Sequence, residues 1–303
     1  MNPQSPILRA AATAALLTCL PGPAATQTLS DPIALMGTED QGVDLTDLSL
    51  EELMNIEVTV ASRTKQKLSD VPAAVYVLTG DEIRRAGFSS VQEALRMVPG
   101  FQVSHWTNNM WDVTARGYGN GTSLTNSAFL NQLLVMIDGV PVYSPQFAGV
   151  WWALQDVDLA DIDRIEVIRG PGGIIWGANA EHGVVHIITK NAADTQGAQF
   201  NTFQGNEDRH VSARGGVPFG ETGHLRVWGK ISTYDTPAAP LWGYKQDWTL
   251  NTGGFRADWG DPEAWQYNVW ARAYNGRFRN IGFDLVFFQP FSTLNEKFGG
   301  QFS

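Results

Sequence analysis

The rhythm of apolar and polar positions changes along the chain, and each rhythm predicts a different kind of element. From residue 71 it is mixed. "VPAAVYVLTG" (71–80) reads as a strand, and Thr79, three residues before Glu82, caps a short helix, "DEIRRAG". Ser90 and Glu93 cap a second helix, "VQEALRMVPG", which stops before Pro99. "FQVSHW" and "WDVTARG" alternate as strands about the turn residues Asn108 and Asn109. "NQLLVMIDGVPVY" (131–143) is a strand, a turn at Asp138 and Gly139, and a second short strand. With "DIDRIEVIRG" and "GVVHI" to follow, 71–190 is expected to form one α+β domain.

Near 191 helical spacing gives way to long alternating segments. In "HLRVWGKISTY" (224–234), Leu225, Val227 and Ile231 share one face, while Arg226, Trp228, Lys230 and Ser232 share the other. "EAWQYNVWARAYNG" (263–276) sets Trp265, Tyr267, Val269, Ala271 and Ala273 against Gln266, Asn268 and Arg272. Short connections (217–223, 261–263) alternate with a long one (235–246). Strands of about ten residues, apolar outside and polar inside, joined in this way are the mark of a transmembrane β-barrel. A soluble sandwich gives the same alternation, so the pattern leaves both open.

The chain begins differently. Arg9 precedes the apolar run "AAATAALLTCL" (10–20) and then "PGPAAT", so residues 1–25 are expected to be a secretory signal peptide, with a plain apolar tail as the alternative. Cys19, the single cysteine, falls inside it, leaving no thiol or disulfide chemistry to the mature chain. Residues 26–48 are polar and acidic. "SLEELMNI" (49–56) opens a helical turn, and "IEVTVAS" (56–62) is β-prone, as an edge strand or an extended arm. No segment approaches 18 continuous apolar residues, so no helix is expected to span a membrane. Thirty-one acidic against 21 basic side chains, a formal net charge of -10, argue against a nucleic-acid partner.

The glycine-rich runs invite a nucleotide reading, which their chemistry refuses. "RGPGGIIWG" (169–177) lacks the Lys and Ser/Thr of a phosphate loop, and about ten residues are too few for a crossover helix. "RGYGNG" (116–121) precedes no helical pattern. His182 and His186 flank a strand-like segment, where four residues span about 13 Å, so they are not a metal pair. There is no cysteine nucleophile, GxSxG or HExxH, and neither enzymatic activity, metal nor cofactor is expected.

Five runs in order, "SDVPAAVYVLTGDEIRRAG", "VQEALRMVPGFQV", "ARGYG", "LLVMIDGVPVY" and "DIDRIEVIRGPGGIIWGANAEHGVVHIITK", resemble the plug domain of TonB-dependent outer-membrane receptors. Residues 191–303 resemble, more weakly, the opening antiparallel strands of the barrel. The resemblance implies an α+β plug inside a 22-stranded barrel in the outer membrane of a Gram-negative bacterium, with the N-terminus in the periplasm. It also implies a ligand-gated importer, with TonB, energised by ExbB and ExbD, pulling on an extended TonB box. Here the box would be Ile56, Glu57, Val58, Thr59 and Val60, open to strand addition; a plain plug strand is the competing reading. The division is then 1–25 signal, 26–62 N-terminal segment with the box, 63–190 plug and 191–303 partial barrel.

Further roles follow from the same resemblance. Arg116, Glu166 and Arg169 correspond to charges that pair plug with barrel wall, against the alternative of solvated surface charges. Asp138, Gly139, Gly170, Pro171, Gly172, Gly173 and Gly177 are expected to make turns. Tyr143, Phe147, Trp151 and Trp152 face either a small extracellular ligand or the barrel. A ferric siderophore is the commonest ligand of the family, while haem, cobalamin and others stay open. Residues 191–303 suffice for about four to six strands, so a fragment of a receptor is expected. The alternative is a stand-alone plug-like module that binds TonB without transport.

Overall fold

The computed structural model describes residues 57–58, 66–67, 73–115, 132–143, 149–237, 245–260, 266–278, 282–283, 290–291 and 301–302. All of them lie in one unit, Gly42–Ser303. Its first part is an α+β domain. β1 (Glu57–Val58) pairs antiparallel with β2 (Gln66–Lys67). β3 (Val75–Thr79) leads directly into α1 (Gly80–Ala86), where Thr79 and Glu82 form the reciprocal capping box. Glu82 N donates to Thr79 Oγ1 at 3.3 Å, and Thr79 N donates to Glu82 Oε2 at 2.8 Å. Ser90 caps α2 (Val91–Ala94), and a 3-10 turn over Leu95–Met97 ends the helical stretch before Pro99.

β4 (Phe101–Thr107) and β5 (Met110–Ala115) form a separate hairpin about Asn108 and Asn109. β6 (Leu133–Ile137) turns through Asp138 and Gly139 into β7 (Val140–Pro141). Both turn residues have positive φ, 46° and 82°, the backbone of a two-residue hairpin turn that favours an Asp-Gly pair. β8 (Ile162–Arg169), α3 (Gly173–Trp176) and β9 (Gly183–Thr189) complete the domain. Its sheet runs β3-β8-β9-β6-β7, with β6 and β9 parallel.

Strand alternation gives this sheet two apolar faces. Leu78, Val135, Ile137, Ile165, Val167, Val185 and Ile187 pack with Ile83, Val91 and Leu95 of the helical region. Val77, Leu134, Met136, Ile168 and Val184 form the other face, and Val58 of β1 docks on it, fully buried.

The second part is a long-strand antiparallel sheet. β10 (Gly197–Gln204), β11 (Asp208–Phe219), β12 (Gly223–Tyr234), β13 (Trp248–Gly260) and β14 (Gln266–Phe278) pair in sequence order. The pairs β15 (Gly282–Phe283) with β16 (Pro290–Phe291), and β17 (Gln301–Phe302) with β14, are short. Twelve or 13 residues per strand reach roughly 40 Å, enough to cross an apolar band about 25 Å tall when tilted.

The faces of this sheet are inverted relative to a soluble protein. Arg226 is 3% exposed, while its neighbour Val227 is 46% exposed. Lys230 and Ser232 are buried on either side of an exposed Ile231. Phe200, Val211, Val217, Phe255 and Val269 are also exposed, whereas Ser212, Thr252, Asp258 and Arg272 are buried. At one rim Phe219, Trp259 and Tyr267 form an aromatic chain, with centroids 6.4 and 5.8 Å apart. Apolar outside, polar inside and aromatic at the rim is barrel-wall architecture, not sandwich architecture.

Candidate functional site

The inward bases of the long strands meet acids of the α+β domain along a buried seam. At one end stands the Asp138–Gly139 turn. Asp138 Oδ1 and Oδ2 accept from Thr189 N and Thr189 Oγ1, both at 2.8 Å. Arg256 of β13 reaches the same carboxylate at 3.2 Å and donates to Thr189 Oγ1 at 2.9 Å. Its fork also grips Asp258, through Nε at 2.8 Å and Nη2 at 3.0 Å. Asp258 Oδ2 in turn accepts from Ala192 N at 2.8 Å, and Arg226 Nη1 donates to Lys190 O at 3.0 Å. The link between domain and sheet is thereby fastened to the sheet itself.

Further along, the segment Gln155–Asp161 presents its polar side chains to β11, β12 and β14. Asp156 accepts from Lys230 Nζ and from Ser232 Oγ, each at 2.5 Å, and all three residues are buried. Asp158 accepts from Ser212 Oγ, and Asp161 pairs with Arg214. Gln155 Oε1 accepts from Arg272 Nη2 at 2.7 Å. Burial pushes the Asp161 carboxyl above the usual carboxylate range, against the pull of Arg226 and Arg214. A cavity of about 40 Å³ lies on the seam between Asp138, Asp161, Arg226, Arg256 and Trp270. That volume accommodates roughly two or three waters. Far from it, Asn108 at the β4–β5 tip accepts from Trp248 Nε1 at 3.0 Å, tying the hairpin to the start of β13.

Such a seam is polar, buried and paired. Two surfaces joined this way are held in register by polar pairs, and an apolar cluster of Ala153 and Leu154 with Trp248 and Leu250 adds to the contact between them. Removing one partner of a buried pair costs about 3–5 kcal/mol, because the other charge is left dry.

Of the residues singled out from sequence, Glu166 is fully buried and accepts from Arg164 Nε at 2.9 Å, inside the α+β domain. Arg169 lies 5.9 Å over the Tyr76 ring, also within the domain. Asp138, read only as a turn residue, also sits on the seam. Gly170, Pro171, Gly172, Gly173 and Gly177 lie in the bend and short helix between β8 and β9. A Cβ at Gly172 would stand 2.9 Å from Val184 Cγ2, so the close approach there excludes a side chain.

Trp152 is buried in the main core, and Trp151 packs on the cluster of Ala153, Leu154, Trp248 and Leu250. Tyr143 packs on both apolar faces, its hydroxyl donating to Leu133 O at 3.1 Å, and burial raises its pKa. Glu57 and Val58 lie in β1, whereas Ile56, Thr59, Val60, Arg116 and Phe147 lie outside the described residues. The acids Asp156, Asp158 and Asp161 were missed in the sequence. The usable signal was the acidic run "QDVDLAD" facing strands with bases on their polar side.

Residues 67–184 match the family model described as "TonB-dependent Receptor Plug Domain". The chain is 30% identical over 151 residues to the vitamin B12 transporter BtuB of Vibrio vulnificus (strain CMCP6), covering 50% of this chain and 23% of that protein. It is 27% identical over 219 residues to the ferric enterobactin receptor of Pseudomonas aeruginosa, covering 65% and 26%. Among solved structures it resembles the pyoverdine outer membrane receptor FpvA from Pseudomonas aeruginosa PAO1. The TM-score is 0.58 at 16% identity, over 74% of this chain and 30% of that one, a likeness of fold. The chain spans about a quarter of the length of these curated relatives.

Proposed function

We propose, on the premise that this chain is a TonB-dependent receptor plug domain continuing into barrel strands, that it serves energy-coupled uptake across the outer membrane. The carrying observation is the inverted long-strand sheet, lipid-facing outside and charge-paired to the plug inside. In this reading the plug closes the barrel, and ligand arrives from the extracellular side. TonB, with ExbB and ExbD supplying energy, takes hold of Ile56–Val60 from the periplasm. Glu57–Val58 is extended, as strand addition requires, but it is already paired with Gln66–Lys67 and Val58 is buried, so the segment must undock before a partner strand can take its place. The aromatic rim of Phe219, Trp259 and Tyr267 borders the short turn 220–222, and short turns are periplasmic in such barrels.

For the ligand we keep a ferric siderophore, in line with the receptor for ferric enterobactin among the relatives. The similarity to vitamin B12 transporters favours a second reading, cobalamin. A stand-alone module that binds TonB without transport is the alternative class. The test is uptake of radiolabelled ferric enterobactin and vitamin B12 by cells whose outer membrane carries this chain in place of their own receptors, with and without TonB. TonB-dependent uptake of either supports the importer and chooses between the ligands. Binding of the purified periplasmic TonB domain without uptake supports the module, and neither result sinks both.

A further inference from the structure

His186 sits on β9 in a cross-strand row, Val77–Glu166–His186–Met136, on the face of the plug sheet where Val58 docks. It is 8% exposed. Its Nε2 lies 2.9 Å from Gly139 N and accepts that N–H, so the neutral ring carries its proton on Nδ1. Nδ1 has no hydrogen-bond partner among the described residues. The titratable and charged groups that face the ring are Glu166 and Arg164 of β8 and Asp138 of the β6–β7 turn.

The bond to Gly139 is a positioning contact. It fixes the turn whose other residue, Asp138, grips Thr189 and the barrel's Arg256. Protonation changes both parts of this arrangement. An imidazolium carries N–H at both nitrogens, so Nε2 no longer accepts from Gly139 but repels it. The new charge also sits beside Glu166 and Asp138, where it competes with Arg256 for the Asp138 carboxylate.

We propose that His186 is an acid-sensitive switch in the plug: its protonation frees the Asp138–Gly139 turn and loosens Asp138 from Arg256 at the plug–barrel seam. The inference stands on the seam geometry and is independent of the ligand. Burial lowers the pKa of the ring, with Glu166 and Asp138 opposing the shift. The sign follows from linkage. Below about 6.5 the unfolded chain binds a proton that the folded ring resists. Stability is therefore lost as pH falls from about 6.5 toward the folded value, and levels off below it.

The test is amide hydrogen exchange of the full chain in detergent micelles, at single-residue resolution from pH 7.5 to 4.5, with the His186 ring titrated by NMR in the same samples. We expect the protection factors of Gly139 and Thr189 to fall together, at least tenfold, as the ring titrates. In His186→Gln, which has no proton to gain, both should be independent of pH. Protection that holds through the ring titration overturns the proposal. So does a loss at Gly139 without one at Thr189, or the same loss in His186→Gln. If that variant does not fold, the unmodified chain alone decides.

Discussion

Asp138, on a hairpin turn of the plug, and Arg256, 118 positions later on a barrel strand, meet at 3.2 Å, and the same guanidinium holds Asp258 in a two-pronged grip. Arg256→Met should leave both carboxylates without their cation. The expected loss is about 3–5 kcal/mol of unfolding free energy, read by urea denaturation in micelles. Asp138→Asn should cost less, because an amide oxygen still accepts from Thr189 N. Equal costs would mean that the charge of Asp138 does most of the work.

The pair Asp156–Lys230 tests whether charge or shape holds the seam. Lys230→Met alone strands a buried carboxylate and should destabilise by about 3–5 kcal/mol. Adding Asp156→Leu should recover most of that loss, since a dry apolar pair replaces a dry ionic one. A double variant no better than the single would show that Ser232, which also donates to Asp156, requires an acceptor there.

Neighbouring residues on β12 should respond oppositely to the same charge. Val227→Arg places a guanidinium on the lipid face and should cost about 2–4 kcal/mol in vesicles, provided the site lies near the bilayer midplane. Arg226, one residue away, is already a buried arginine bonded to Lys190 O and Thr189 Oγ1. A Val227→Arg protein as stable in vesicles as the parent would contradict the lipid-facing assignment.

Docking of Val58 should restrain the segment proposed as the TonB box. Val58→Thr buries a hydroxyl in an apolar cluster, at a cost of about 1–3 kcal/mol if it finds no partner. The undocked population rises accordingly, and the apparent affinity for the periplasmic TonB domain should rise about tenfold, measured by calorimetry. Unchanged affinity would show that the segment binds TonB without leaving the plug.

What could be read from sequence was whatever depends on near neighbours. The Thr79–Glu82 box is closed by three residues, the Asp138–Gly139 turn by two, and the alternation of β12 by one face against the other. The seam was not legible, because its partners stand far apart. Asp156 and Lys230 are 74 residues apart, and Gln155 and Arg272 are 117 apart. Glu166 shows the same limit from the other side. Its place in a charged motif does not reveal that it is fully buried and accepts from Arg164, two residues away on the same strand.

The fastening of Ala192 by Asp258 and of Lys190 by Arg226 has a mechanical consequence. A pull arriving at Glu57–Val58 would act on a body grounded at its opposite end. On the proposed uptake reading, the plug would then move like a door leaf rather than a cork: its free edge would swing or fray first, while the jamb at 190–192, bonded to Asp258 and Arg226, would keep it aligned for closing.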